Sequence, residues 1–513
     1  MRNLRNFIQE LEAKDLLFRI DRTVCKDTEL MPLVRWQYAA LPEEKRKAFL
    51  FEKVKDCHGK VYDSSVAVSL LGTKSVYACA AGCAPEQLRD RLISGIANPI
   101  EPVVINDSVI PVHEEVHTGD SLLAHGGLNE FPVPISTLGF DPAPFFTSGH
   151  WITRDPNTGS RNVGTYRGMV QKPDRIGVMI GAQNQLNMHR NLYHSKGLPY
   201  MEAALVLGSP VEVGMASVAR IAYGVDELAI AGGIVGEPIR MTKGLTVDLD
   251  VPADAEIVIE GRFPTDKMDF EGPFGEFSGY MGMREMQPYF EVTCITHRKN
   301  PIYQAYISEM PPSESSVMRG IFAEAQIFKL LRHDVGITGL LDVAVHNTVG
   351  SNNYCVLQMK KKGPAEVWQA LRCAANFSPG FGKIIIAVDS DINPRDPDLV
   401  NWALCYHIQP HRDIEILKNK VGILDPSTAP LTAPHSGQVY PRPHGNSAML
   451  IDATRKWDYP PISLPPKDIM EAARGVWEEI GLPELQEPSG IWYGYELGFW
   501  NDELRQLAKD ILK

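Results

Sequence analysis

Glu271 and Glu276 stand five residues apart in the stretch "DFEGPFGEFSGY", residues 269–280. Pro273 and two glycines exclude a regular helix between them. A straight strand fails too, because positions five apart point to opposite faces. The chain must therefore bend, and Gly272 and Gly275 suit a bend. Phe270, Phe274 and Phe277 interleave with the acids and would desolvate them. In a partly dry, aromatic setting the neutral carboxyl is favoured, so a glutamate there can donate a proton. The ordinary reading is a solvated acidic turn. The apolar spacer and a position between strands argue for a loop that aims two carboxylates into one cavity.

A second stretch, "RNVGTYRGMVQ", supplies Arg167. Val163, Thr165, Arg167 and Met169 would share one strand face, with Arg167 aimed inward. A buried arginine needs a carboxylate, and Glu271 and Glu276 are the obvious ones. Asn162 has the opposite parity, so lining one site with both requires a bulge, which Gly164 permits. A third stretch, "AYGVDELAIAGGIVGEPIR", sets Glu227 and Glu237 among small residues. Its glycines do not spell G-x-G-x-x-G, and no G-K-[ST] occurs in the chain, so motif grounds give no nucleotide site. Lys383 follows two glycines in "SPGFGK" at the start of an apolar strand, where an ammonium can meet a phosphate. Glu309 precedes a Pro-Pro break. The histidines form no zinc motif; "PVHEEVHTGD" is a polar, histidine-containing connector.

The elements that must position these groups fall into three regions. Residues 1–115 read as an N-terminal α/β domain, with Leu4, Phe7, Ile8 and Leu11 at helical spacing. Residues 116–315 are strand-rich, an antiparallel barrel or sandwich with inserted helices around 186–196. Two hairpins are expected there, "LTVDLDVPADAEIVIEGRF" and "YFEVTCITHRKNPIYQAYIS". Residues 316–513 alternate helix and strand, with a buried strand at Ile384 to Val388. Asn501 is positioned to cap a terminal helix whose Leu504, Leu507 and Ile511 share one face and would pack within its domain or on another subunit.

The chain has 513 residues, 44% hydrophobic and 22% charged, the balance of a soluble globular protein. A net charge of −12 argues against a nucleic-acid or anionic-membrane surface. No apolar run reaches the ~18 residues of a membrane span. The N-terminus is an amphipathic helix rather than a signal core. The eight cysteines are scattered, with only Cys79 and Cys83 close together, which favours free thiols and a cytoplasmic location.

Taken in order, N-x4-R at Asn162 and Arg167, G-V-D-E ending at Glu227, E-G-P-F-G-E at 271–276 and G-K before an apolar strand resemble the UbiD family of reversible, prenylated-FMN-dependent (de)carboxylases. The resemblance extends over most of the chain. It implies an N-terminal α/β region, a central flavin-binding split β-barrel and a C-terminal α/β oligomerisation domain, with homodimers or hexamers. It places a catalytic Glu-Arg-Glu network on Arg167, Glu271 and Glu276. A divalent-metal set (Mn²⁺ or Mg²⁺, with Fe²⁺ a further option) falls on Asn162 and Glu227. The usual histidine position holds Gln185, which could ligate through its amide oxygen; a shifted loop could instead bring in His189 or His194. Asn162, Val163, Gly164, Thr165, Tyr166, Arg167, Asn184, Gln185, Glu227 and Lys383 match cofactor-contacting positions. A K⁺ site falls on Ala216, Ser217 and Glu227. The implied activity is non-oxidative decarboxylation, or its reverse, of an aromatic, heteroaromatic or α,β-unsaturated acid, or of an aromatic acyl-CoA with a free carboxylate. It runs through a covalent substrate–cofactor adduct with Glu276 as proton donor. A flavin prenyltransferase would supply the cofactor. The alternative is a non-catalytic or cofactor-binding subunit of a larger carboxylase complex.

Overall fold

The computed structural model describes residues 2–181, 184–347, 352–378, 380–420, 424–428, 446–485 and 498–511. Ala182 and Gln183 of "GAQNQLNMHR", residues 348–351 of "VHNTVGSNNY" and Pro379 of "SPGFGK" lie outside them. The chain divides into two compact units. One comprises 1–326 with 347–351 and 421–446; the other comprises 327–346, 352–420 and 447–513.

A nine-stranded sheet organises the first unit. Its strands are β1 Glu115–Thr118, β2 Phe145–Phe146, β3 His150–Arg154, β4 Arg161–Thr165, β5 Gly168–Lys172, β6 Arg175–Val178, β7 Tyr200–Leu207, β8 Ile257–Pro264 and β9 Tyr289–His297. Their spatial order is β4-β3-β7-β8-β9-β6-β5-β2, with β1 also paired to β9, and every pairing is antiparallel. This curled sheet is the half-barrel of the expected mixed α/β fold. Both its faces are covered. Ala203, Leu205 and Leu207 of β7 pack with Trp151, Phe263 and Phe290, while Ala204 and Val206 pack with Leu4, Phe7 and Val163. Successive strand residues point to opposite faces, so each face feeds a different core.

The two expected hairpins are not formed. Asp250–Pro252 pairs with Arg240–Lys243, whereas β8 runs between β7 and β9. Strand Ile302–Ala305 leaves β9 and joins a separate four-stranded sheet with Leu17–Ile20, Ala48–Phe51 and Ser65–Val68. Tight turns connect each pair in sequence, but burial on both faces sends the second strand to another sheet. The boundary expected near residue 115 is thus crossed by backbone pairing. Glu314 crosses it too: fully buried at the start of helix Glu314–Lys329, its carboxylate accepts from the backbone N–H groups of Ser69 (3.0 Å) and Leu71 (2.8 Å).

The second unit holds a five-stranded mixed sheet in the order Leu340–Val345, Tyr354–Met359, Ile384–Asp389, Ser447–Ala453, Ile414–Lys418. Helices Pro364–Ala375 and Pro397–Tyr406 alternate with the strands, as the sequence predicts. Lys383 immediately precedes strand Ile384–Asp389. The Asn501 side chain accepts from the Leu504 N–H at 2.8 Å, and Leu504, Leu507 and Ile511 are exposed.

Candidate active site

Strand β4 ends at Thr165 and β5 begins at Gly168, so Tyr166 and Arg167 occupy the break between them. No bulge occurs at Gly164: the β3–β4 ladder runs in unbroken register from Arg154↔Arg161 to His150↔Thr165. The parity problem is solved instead by ending the strand. A Cβ on Gly164 would lie 2.5 Å from the Tyr166 ring, so the glycine makes room for that ring. Across the site, strand Asp269–Glu271 ends at Gly272, whose φ of +80° turns the chain before Phe274–Gly275. Glu271 and Glu276 thereby converge on Arg167. Its Nε and Nη2 donate to the two oxygens of Glu271, each at 2.8 Å, and its Nη1 donates to Glu276 Oε1. The guanidinium lies 5.1 Å from the Phe274 ring centre. Phe274 and Phe277 are buried beside the acids as expected, but Phe270 is exposed and stacks under Arg284.

Burial pushes Glu276 up to about 7; the Arg167 charge opposes this and the Glu271 charge adds to it. Burial alone would weaken the Arg167 cation, but Glu276 and Glu271 outweigh it and hold Arg167 charged. The fork to Glu271 is the charge-assisted, bidentate kind, leaving Glu276 as the acid poised to change protonation near neutral pH.

A second cluster forms along β4 and the two helices facing it. The Val163 N–H donates to Glu227 Oε2 at 2.8 Å from the first residue of helix Glu227–Val235. Burial raises Glu227 to about 8. Asn162 is buried, and its side-chain nitrogen has no hydrogen-bond partner. The Tyr166 hydroxyl meets the Asn184 side chain and the Leu186 backbone, tying β4 to helix Gln185–Ser195. Gln185 opens that helix, half-buried. One turn on, His189 is buried, with Nδ1 2.9 Å from Thr153 Oγ1. Thr153 is the direct cross-strand partner of Asn162, so His189 reaches the strand face that Asn162 shares. His194 is exposed. Ser217 Oγ lies 2.7 Å from Thr165 Oγ1 and donates to the Gly214 carbonyl at 2.9 Å; Ala216 is buried beside it.

Comparison with known proteins decides the family. Residues 104–311 match the model of the 3-octaprenyl-4-hydroxybenzoate carboxy-lyase Rift-related domain, and residues 316–453 match that of its C-terminal domain. The chain belongs to the UbiD family. The UbiD-class enzyme HmfF from Pelotomaculum thermopropionicum, solved in complex with FMN, is 31% identical, with a TM-score of 0.79 over 92% of this chain and 99% of HmfF. An evolved dimeric form of HmfF, in complex with prFMN, is 30% identical, with a TM-score of 0.78 over 93% and 100%. An uncharacterised protein of Synechocystis is 31% identical over 81% of this chain and 84% of its own length. Vanillic acid decarboxylase of Sedimentibacter hydroxybenzoicus, at 24% identity and a TM-score of 0.77, shares the fold.

Several polar groups of this UbiD site carry no motif of their own. Arg319, on helix Glu314–Lys329, lies 4.6 Å from the Phe277 ring centre. Burial, and after it the neighbouring Arg220 charge, bring it down to about 10 against the opposing charge of Glu276. Arg220 is likewise lowered by burial. Two cations facing each other near one carboxylate form a setting suited to an anion. On the other side, Asp141 is held at about 7 by burial, with one oxygen bound by the Thr137 N–H at 2.6 Å and the other buried without a partner. Glu309 accepts from Arg35 at 2.7 Å, and its second oxygen is also buried without a partner. Glu285 pairs with Glu271 across the Asp269–Glu271 and Glu285–Gln287 strands and is raised to about 7 by burial. These residues converge from five separate segments, which no local spacing reveals.

Proposed function

We propose that this UbiD-family chain is a reversible non-oxidative decarboxylase of an aromatic, heteroaromatic or α,β-unsaturated carboxylic acid that depends on prenylated FMN. The observation that carries the reading is the buried Arg167 bound by Glu271 in a fork and by Glu276 on its third nitrogen. Loss of CO2 from an sp2 carbon leaves an in-plane carbanion that side chains stabilise poorly; bound prenylated FMN supplies the electron sink.

The residues present fit that group and its divalent metal. Asn162, buried with its amide nitrogen unpartnered, precedes Val163, whose N–H donates to the Glu227 carboxylate, and Gln185 and His189 stand on the adjoining helix. Oxygen donors suit Mn²⁺ or Mg²⁺, and His189 adds a nitrogen donor. Arg220 and Arg319 would attract an anionic group of cofactor or substrate. Val163, Gly164, Thr165, Tyr166 and Asn184 would line the flavin side, and Ala216, Ser217 and Glu227 would hold K⁺.

Arg167 would orient the substrate carboxylate while Glu271 fixes the guanidinium plane. Glu276, neutral below about pH 7, would deliver its proton to the carbon that loses CO2. In the carboxylating direction the same group would take that proton back. A homodimer or hexamer is the assembly this reading carries.

The test is co-expression with a flavin prenyltransferase, then deuterium incorporation from D2O at the decarboxylated carbon across a panel of aromatic acids. Exchange in wild type that disappears in Glu276→Gln supports the reading. Protein that binds the cofactor yet exchanges no substrate in the panel, with no ¹³CO2 incorporation, overturns it in favour of a non-catalytic subunit.

A further inference from the structure

Far from the candidate active site, three groups that the proposed reaction does not use converge at the other end of β9. His117 lies on β1, His297 is the last residue of β9, and Glu130 ends the short helical turn Gly127–Glu130. At the active-site end, a Cβ on Gly177 would lie 3.4 Å from Glu271 Cγ, and Tyr289 is the cross-strand partner of Gly177; eight residue steps separate Tyr289 from His297, about 27 Å along a strand. His117 Nδ1 lies 3.0 Å from Glu130 Oε2, and His297 Nε2 lies 3.3 Å from Glu130 Oε1. One ligand atom from each residue falls within 4.8 Å of the other two. Both imidazoles are buried, and Glu130 is half-buried.

The protonation pattern is informative. His297 Nδ1 sits 2.8 Å from the Arg298 carbonyl, which can only accept, so Nδ1 carries the hydrogen. In the neutral ring Nε2 then presents a lone pair towards a carboxylate oxygen. That nitrogen is buried and makes no well-formed hydrogen bond. A lone pair facing a carboxylate needs a cation between them, either a proton or a metal. A backbone carbonyl on the far nitrogen is also the usual support for a metal-bound imidazole.

We propose that His117, Glu130 and His297 form a divalent-metal site of the Zn²⁺ class, separate from any metal at Asn162 and Glu227, clipping segment 115–130 onto the end of β9. Two imidazoles and one carboxylate are a donor set for zinc rather than for Mg²⁺ or Ca²⁺, which prefer oxygen. Tetrahedral ligands at ~2.0–2.1 Å stand roughly 3.3 Å apart, and each imidazole nitrogen already lies about that far from one oxygen of Glu130, His117 from Oε2 and His297 from Oε1. A water would complete the fourth position.

The experiment uses the full chain in a Glu227→Gln background, which removes the one carboxylate of the other candidate metal set. After chelation, the protein is titrated with Zn²⁺ and Co²⁺, and metal content is measured after gel filtration. One tightly held Zn²⁺ per chain is expected, with a visible Co²⁺ ligand-field band of a four-coordinate N/O site and a raised melting midpoint. Glu130→Gln and His297→Ala should each weaken Zn²⁺ binding at least about 100-fold and abolish the thermal shift. Zn²⁺ uptake unchanged by both substitutions overturns the proposal. So does a Glu227→Gln chain, folded by circular dichroism, that shows no four-coordinate Co²⁺ band; this outcome does not depend on the triad variants folding. In that case the cation in the triad is a proton.

Discussion

Arg167 and Glu271 meet through two parallel hydrogen bonds of 2.8 Å, although 104 residues separate them in the chain. The fork consumes Nε and Nη2 and leaves only Nη1 for Glu276. Two carboxylates on one guanidinium are therefore not equivalent: one is a fixed partner, the other a titratable neighbour.

Replacing Arg167 with lysine keeps the charge but loses the planar fork. Arg167→Lys should lower kcat on an accepted acid by ~10²–10³-fold with little change in melting temperature, since a cation still faces both acids. Arg167→Ala should also destabilise, by about 3–5 kcal/mol, because two buried carboxylates lose their partner. Steady-state kinetics and chemical denaturation separate the two effects.

The pH profile should carry the signature of Glu276. If the protonated acid is the donor, the decarboxylation rate falls as pH rises through about 7. Glu276→Gln should remove that limb along with at least ~10³-fold of the activity. Measuring kcat between pH 5.5 and 9 checks it.

Stability should move the same way in cofactor-free protein. Glu276, Glu285 and Asp141 are each held at about 7 in the fold, largely by burial, against roughly 4 in the unfolded chain. Between those values the native state binds more protons than the unfolded state, so unfolding free energy drops as pH rises from about 4 to 8. Urea midpoints should be lower at pH 8 than at pH 5. Asp141→Asn combined with Glu276→Gln should flatten that slope.

Gly164→Ala tests the packing under Tyr166. A methyl there would fall 2.5 Å from the ring and must displace it. A loss of about 1–3 kcal/mol is expected, together with weakened flavin retention, because Tyr166 also holds Asn184 and the start of helix Gln185–Ser195. Denaturation curves and flavin absorbance after gel filtration read both.

The site is partly legible from local sequence, and the reasons are specific. Gly272 and Pro273 force a bend, so convergence of Glu271 and Glu276 follows from backbone chemistry alone. Arg167 is legible because a buried guanidinium demands a carboxylate. Its route into the site is not, since a strand that stops at Thr165 and one that bulges at Gly164 leave the same residues in the same order. Arg220, Arg319 and Asp141 are invisible because their function depends on neighbours from other segments. The α/β alternation of residues 364–406 is clear, as period and turn residues agree there. The hairpins misread around 250–260 and 289–305 fail because burial on both sheet faces removes the alternation that fixes register. His189 shows a further limit: its burial against Thr153, the cross-strand partner of Asn162, follows from the helix turn after Gln185 and not from any local spacing.

The hydrogen bonds from Ser69 and Leu71 to Glu314 bear on how this chain can be shortened. A fragment starting at residue 116 would keep all but the first residue of the nine-stranded sheet and look complete on a domain diagram. It would also strip strand Ile302–Ala305 of its only neighbour in the four-stranded sheet and leave a buried carboxylate without its principal donors. An unpaired edge beside an uncompensated acid is a seed for intermolecular pairing. The opening hundred residues therefore complete the sheet and the hydrogen bonding that residues 302–314 need, and the fragment should aggregate at concentrations where the full chain does not.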